Sequence, residues 1–260
     1  LIASDFTMIP EDLIRVRAFD WPVQFSDVMK SGGFDAIVGN PPYIRIQTLQ
    51  ETDPETVAHL NSHYRAAAKG NYDIYVVFVE RALSLLNPSG RLGYILPHKF
   101  LNAQYGGALR QLLAAGKHLA GIVHFGDQQV FEGATTYTCL LFLTRTETAK
   151  FWLRKVNDLE AWQRDEQAVT GEVRASETGT TEWNFHVGPE AALFNKLLSV
   201  RTTLGGIASR MAQGIRTSAN EVYVLDILQA GARVIRARSE ILQREVKVER
   251  NMISRFLQGR

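Results

Sequence analysis

Phe34 to Gln47 read FDAIVGNPPYIRIQ. Six residues form a short apolar run closed by Gly39, the pattern of a buried strand. Pro41 and Pro42 then remove two consecutive backbone donors and fix two φ angles. The strand has to stop there, and the chain leaves it along a stiff path. An amide, Asn40, and a phenol, Tyr43, flank the two prolines at the point where the strand ends.

Downstream, DIYVVFVERALSLLNPSG (73–90) has helical spacing and ends at the stop signal Asn87-Pro88-Ser89-Gly90. RLGYILP (91–97) reads as a strand and AQYGGALRQLLAAG (103–116) as a helix closed by Gly116. LAGIVHFG (119–126) and TYTCLLFLTR (136–145) read as two further strands, and IRVRAF (14–19) as a short one. Strands alternating with helices predict an α/β fold with a mostly parallel sheet. In such sheets ligands sit beyond the carboxyl ends of the strands, where GNPPY and PHKF (97–100) fall. The polar stretch from Ile44 to Asn71 reads as a long loop. Residues 146–200 read as a connecting region, and from 202 small and β-branched residues point to short strands and turns.

The chemistry of Asn-Pro-Pro-Tyr suits a flat aromatic amine. An Asn side-chain oxygen and a carbonyl aimed by proline can accept both hydrogens of an exocyclic NH₂, which frees its lone pair for attack. The Tyr ring offers a face for stacking. This is catalysis by positioning and electrostatics. The plainer reading is a strand-ending Asn-Pro turn with a packed Tyr.

Composition is that of an ordinary globular protein: 260 residues, 45% hydrophobic, 22% charged. No run of eighteen apolar residues exists, so no membrane span is expected, and no signal peptide opens the chain. The lone Cys139 permits no internal disulfide, no Cys/His metal spacing occurs, and a reducing cytoplasmic setting is expected. The net charge of +2 is uneven: residues 201–260 carry 11 Lys+Arg against 5 Asp+Glu, whereas residues 1–200 carry 18 against 22. A basic end suits a polyanionic partner.

FDAIVGNPPY resembles motif IV of the amino-methyltransferases that use S-adenosylmethionine. It most resembles the N6-adenine DNA methyltransferases of type II, IIG-like restriction–modification systems. The likeness continues through DIYVVFVERALSLLNPSGRLGYILPHKFLNAQYGGALRQLL. FGDQQVFEGATTYTCLLFLTR is similar to the family's motif VIII, whose aromatic position matches Phe131, and LGGIASRMAQGIRTSANEVYVLD to the opening of a recognition domain. The resemblance implies part of a class I S-adenosylmethionine-dependent, Rossmann-like methyltransferase sheet with flanking helices, then the start of an α+β recognition domain. The implied boundaries are 1–148 for the C-terminal part of the catalytic domain, 149–200 for the connection and 201–260 for the beginning of the recognition domain.

The implied activity is methyl transfer to adenine N6 of a base flipped from double-stranded DNA. Asn40, Pro41, Pro42 and Tyr43 would be catalytic, with Tyr43 and Phe131 holding the base and Asp20 and Asn40 facing the cofactor. Lys99, Gln213, Arg216, Thr217 and Asn220 would contact DNA. The family's Gly-rich cofactor loop is not found between Leu1 and Phe34, so the resemblance implies an excised piece that binds cofactor poorly alone, with room for a nuclease domain upstream. Two other readings stay open: a protein-glutamine N5-methyltransferase, which shares NPPY, and an inactive DNA-binding specificity module. Asp73 is a plausible helix N-cap, His98 and His124 read as loop and strand residues, and Thr135, Thr136 and Tyr137 as supports for the Phe131 loop.

Overall fold

The computed structural model describes residues 19–68, 70–131, 136–164, 168–209 and 219–254. Two compact units divide the chain, Leu1–Ser199 and Val200–Arg260. The first is mixed α/β, built on one six-stranded sheet. Its strands are β1 (Phe34–Gly39), β2 (Leu86–Pro97), β3 (Leu119–His124), β4 (Thr138–Thr144), β5 (Lys150–Lys155) and β6 (Val169–Arg174), in spatial order β1-β2-β4-β3-β5-β6.

The expected parallel sheet is realised only in part. β1 pairs parallel with β2 and β3 with β5, but β4 runs antiparallel between β2 and β3, and β6 antiparallel beside β5. The cause is connection length and content. Parallel neighbours need a crossover, usually helical. Helix α2 (Tyr75–Leu85) supplies one between β1 and β2, and α3 (Gly107–Ala115) another between β2 and β3. Residues 125–137 contain no helix among those described, so the chain returns reversed as β4.

α2 forms where the apolar spacing predicts it: Tyr75, Val76, Val79, Ala82 and Leu83 are buried, while Phe78 and Ser84 face outward. Pro88 cannot continue the helix, and β2 begins directly at Leu86. The Asn87 amide closes this corner: Oδ1 accepts from Ser89 N at 3.0 Å and Nδ2 donates to Asp35 Oδ1 at 2.6 Å.

Three readings of the sequence change. The polar stretch after Tyr43 holds a short helix at Ile46–Thr52 and α1 (Pro54–His63). Asp53 caps α1, accepting from Thr56 N at 3.0 Å, with Pro54 in the first turn. Residues 149–200, read as a connection, instead supply β5 and β6, whose Phe151, Leu153 and Val173 are buried in the main core. β1 is not a buried strand: it is the last strand on its side among the described residues, and Val38 is 86% exposed. The strand expected at 14–19 lies outside the described residues except for Phe19, which is not in a strand.

The second unit contains an antiparallel sheet of β7 (Leu225–Ala230), β8 (Val234–Ser239) and β9 (Arg244–Glu249). Ile235, Ala237 and Ser239 alternate inward along β8. The opposite face mixes signs: Arg236 bonds Glu245 at 2.6 Å, and Arg238 stands across from Asp226. The local excess of basic residues therefore does not gather on this sheet.

β1 enters the sheet through Gly33, whose φ is +120° and where an added Cβ would lie 2.4 Å from the Leu85 carbonyl oxygen. Gly126 also has positive φ, +61°, but open space around it. We expect Gly33→Ala to lower unfolding free energy by more than about 2 kcal/mol, since backbone strain and a backbone clash act together. Gly126→Ala should cost only about 1 kcal/mol. Urea denaturation of both variants checks the contrast; equal losses would contradict it.

Candidate active site

β1, β2, β3 and β5 all run the same way, so their carboxyl ends lie on one edge of the sheet. Asn40-Pro41-Pro42-Tyr43 leaves β1 at that edge. Gly39, the last residue of β1, is opposite Tyr94, so β2 projects Ile95, Leu96 and Pro97 beyond it. The prolines carry no N–H to extend the ladder along this overhang. Tyr43 takes it over: its hydroxyl donates to the Ile95 carbonyl at 3.1 Å. Its ring packs on the core and meets the edge of Tyr75 at 6.5 Å. Pro41 is buried beneath, and Asn40 stays exposed.

Burial, with a smaller contribution from Cys139, pushes the Tyr43 phenol up to about 12. It stays protonated near neutrality and keeps donating to Ile95. Cys139 is fully buried in β4, and burial raises its thiol well above the ordinary range, the reverse of what a thiolate nucleophile needs.

Beside Tyr43 opens a polar cleft of about 290 Å³, lined also by Arg45, Asp73, Lys99, Tyr105 and Thr136. Its two walls are separately fixed. Arg45 and Asp73 face each other in an isolated antiparallel bridge, with Ile46 N donating to the Tyr72 carbonyl at 2.9 Å and Ile74 N to the Ile44 carbonyl at 2.8 Å. Lys99 and Tyr105 belong to the tight loop after β2. Buried Arg110 of α3 closes that loop, donating to the Phe100 carbonyl at 2.6 Å and the Ala103 carbonyl at 2.8 Å. Asp73 does not cap α2: Ile74 holds that position, and the carboxyl interacts instead with the Tyr105 hydroxyl. Burial raises the Asp73 pKa, and Arg45, Lys99 and Tyr105 pull it back. The Tyr105 hydroxyl also meets that of Tyr75 at 3.2 Å.

A larger apolar cleft of about 760 Å³ lies along β1, lined by Phe19, Trp21, Phe25, Phe34, Val38 and others. Asp20 sits between two of its lining residues and caps the helical turn Trp21–Gln24, accepting from Val23 N at 3.3 Å. Phe131 is 36% exposed on the β3–β4 connection. Asn220 opens a helical turn, Asn220–Tyr223, in the second unit. Gln213, Arg216, Thr217 and Thr135 lie outside the described residues. The structure thus brings Tyr43 and Lys99 to one cleft and adds Arg45, Asp73 and Tyr105, which sequence reasoning did not assign to it. Among the described residues no group of three or more metal-ligating side chains occurs, and no helix is long and apolar enough to cross a membrane.

Residues 8–131 match the family model described as Eco57I restriction-modification methylase. The chain is 33% identical over 228 residues to the type II restriction enzyme and methyltransferase RM.Eco57I of Escherichia coli, covering 86% of this chain and 22% of that protein. It is 30% identical over 214 residues to the type II methyltransferase M.XhoI of Xanthomonas vasicola, covering 75% and 38%. Among solved structures, the methyltransferase subunit of the type I restriction-modification system from Streptococcus thermophilus aligns with 61% of this chain and 37% of its own, at TM-score 0.43 and 16% identity. The chain therefore spans well under half the length of these relatives.

At the same sheet edge His98 and His124 stack at 4.5 Å with 16° between rings. Burial first, then the neighbouring Lys99, lowers the His98 pKa. Burial, His98 and Lys155 bring His124 down to about 4. A histidine depressed in the folded state binds fewer protons than in the unfolded chain between about 4 and its ordinary value near 6.5. Its contribution is therefore intact above that window and lost as pH falls through it. We expect stability to drop on acidification from pH 6.5 to 4 with a contribution from His124 on the order of 3 kcal/mol. His124→Gln should flatten this dependence in urea titrations; an unchanged slope would exclude His124 as its source.

Proposed function

Because residues 8–131 carry the Eco57I restriction-modification methylase domain, we propose that the protein serves a site-specific DNA methyltransferase that modifies adenine N6 with S-adenosylmethionine as donor. The observation that carries this is the Asn-Pro-Pro-Tyr corner. Its amide is exposed, and its ring is anchored to β2 beside an open polar cleft.

In this reading an adenine is extruded from the duplex at a cost of a few kcal/mol. Tyr43 stacks on its face, and Phe131 closes from the β3–β4 connection. The Asn40 side-chain oxygen and the Pro41 carbonyl accept the two N6 hydrogens. Accepting both turns the nitrogen lone pair out of conjugation with the ring. Pro41 and Pro42 keep these acceptors in place without a covalent intermediate. The Tyr43 hydroxyl, committed to Ile95, prevents its ring from rotating away.

S-adenosylmethionine supplies the methyl group when bound. Asp20 and Asn40 are the side chains proposed to hold it, and the aromatic cleft lined by Phe19, Trp21 and Phe34, on either side of Asp20 in sequence, has the chemistry to stack on a flat ring. Lys99, Gln213, Arg216, Thr217 and Asn220 are the proposed DNA contacts, and double-stranded DNA is the proposed partner. A nuclease segment elsewhere in the parent polypeptide is compatible with the E. coli relative, which is named as both restriction enzyme and methyltransferase.

Transfer of labelled methyl groups to duplex DNA, followed by nucleoside analysis, tests the proposal in the longest polypeptide that contains these residues. N6-methyladenine is the expected product; label in another base overturns the adenine assignment. Asn40→Ala should reduce transfer by about 100-fold or more, in line with the loss of one preorganised polar contact. Tyr43→Phe, which keeps the ring and loses the anchor, should cost less than Tyr43→Ala. Full activity in Asn40→Ala would remove that residue from the chemistry.

A further inference from the structure

We propose that Arg45 and Lys99 form a two-pronged clamp for a phosphodiester of the nucleotide whose base lies against Tyr43. The clamp rests on the methyltransferase reading above and assigns Arg45 and the cleft as a whole a role that reading leaves open.

Both cations line the same small cleft as Tyr43 but come from different segments, Arg45 from the one that follows Tyr43 and Lys99 from the turn that follows β2. Arg45 is fixed through the backbone bridge to Asp73, and Lys99 through the loop that Arg110 ties down. Among the described residues neither side chain forms a salt bridge or donates a hydrogen bond. Their donors are therefore unspent: five N–H groups on the guanidinium and three on the ammonium. Asp73, the one carboxylate among the described residues that line the cleft, interacts with Tyr105, and burial outweighs both cations in setting the direction of its pKa. Two cations line the cleft against one carboxylate, so the cleft attracts a second anion.

A phosphodiester suits these donors. A guanidinium fork takes the two non-bridging phosphate oxygens, and an ammonium approaches one of the same oxygens as a point charge. The phosphate belongs to the same nucleotide because Tyr43 shares the cleft. Such a contact fixes the sugar–phosphate backbone while the base is held out of the stack, and it carries no sequence preference of its own.

Titration of a fluorescein-labelled duplex by anisotropy over a salt series tests the clamp. Each phosphate contact contributes about 0.9 to the slope of log K against log salt. Because both cations hold one phosphate, the double variant should lower the slope by about 0.9, and Arg45→Ala and Lys99→Ala should each lower it by less than that. Arg45→Lys and Lys99→Arg, which keep the charge, should restore it. Circular dichroism establishes that each variant is folded, and Arg45→Met replaces Arg45→Ala if the latter is not. A duplex-binding parent whose slope survives both neutralising substitutions overturns the clamp alone. A parent that binds no duplex at low salt overturns the DNA reading together with it.

Discussion

The hydroxyl of Tyr43 on the carbonyl of Ile95 is the contact on which the candidate site depends. β2 outruns β1 by three residues, leaving a strip of strand edge that no backbone N–H from Pro41 or Pro42 can satisfy. A buried or half-buried carbonyl without a partner costs about as much as a lost hydrogen bond. One side chain meets that need, and in doing so sets the ring orientation, the path of residues 40–43 and the position of the cleft. Gly39 reinforces the same corner, since an added Cβ would sit 3.1 Å from the Tyr94 ring.

The reversed strand β4 completes the edge. Because it runs antiparallel between β2 and β3, its first residue, Thr138, stands opposite Pro97, and His98 N donates to the Tyr137 carbonyl at 3.1 Å. The connection that carries Phe131 is thereby tied at its far end to the turn that carries Lys99. A purely parallel sheet would separate these two segments by a helix. On the other side Gly106, where a Cβ would meet the Phe100 carbonyl at 2.1 Å, and Arg110 compress the 98–106 loop so that Lys99 and Tyr105 share one wall.

Elements bounded by strong punctuation were legible in the sequence. α2 stops before Asn87-Pro88, α3 ends at Gly116, and β1 ends at the two prolines. The strand-edge placement of Asn-Pro-Pro-Tyr followed from the same logic. α1 was not legible as a helix from its apolar spacing, although Asp53-Pro54 is an N-terminal signal of the ordinary kind. The exposure of β1 was illegible for a different reason: apolar composition reports what a strand can bury, whereas its place at the end of the strand order among the described residues decides what it buries there. Arg45 and Asp73 lie 28 positions apart and meet through backbone hydrogen bonds between irregular segments, which leave no periodic trace.

The Asp73 carboxylate explains how two cations can occupy one small cleft in the free protein. Two like charges that share a small cleft repel one another, less in water than in a buried site. The carboxylate of Asp73, which lines the same cleft, offsets that repulsion, while burial raises its pKa and the two cations lower it. The Tyr105 hydroxyl, itself shared with Tyr75, stabilises the charged form and links Asp73 to the aromatic group that supports Tyr43. The arrangement leaves the cleft's electrostatics balanced toward cation excess without binding either cation tightly to the protein. An arriving anion therefore has no strong salt bridge to break before it can be held.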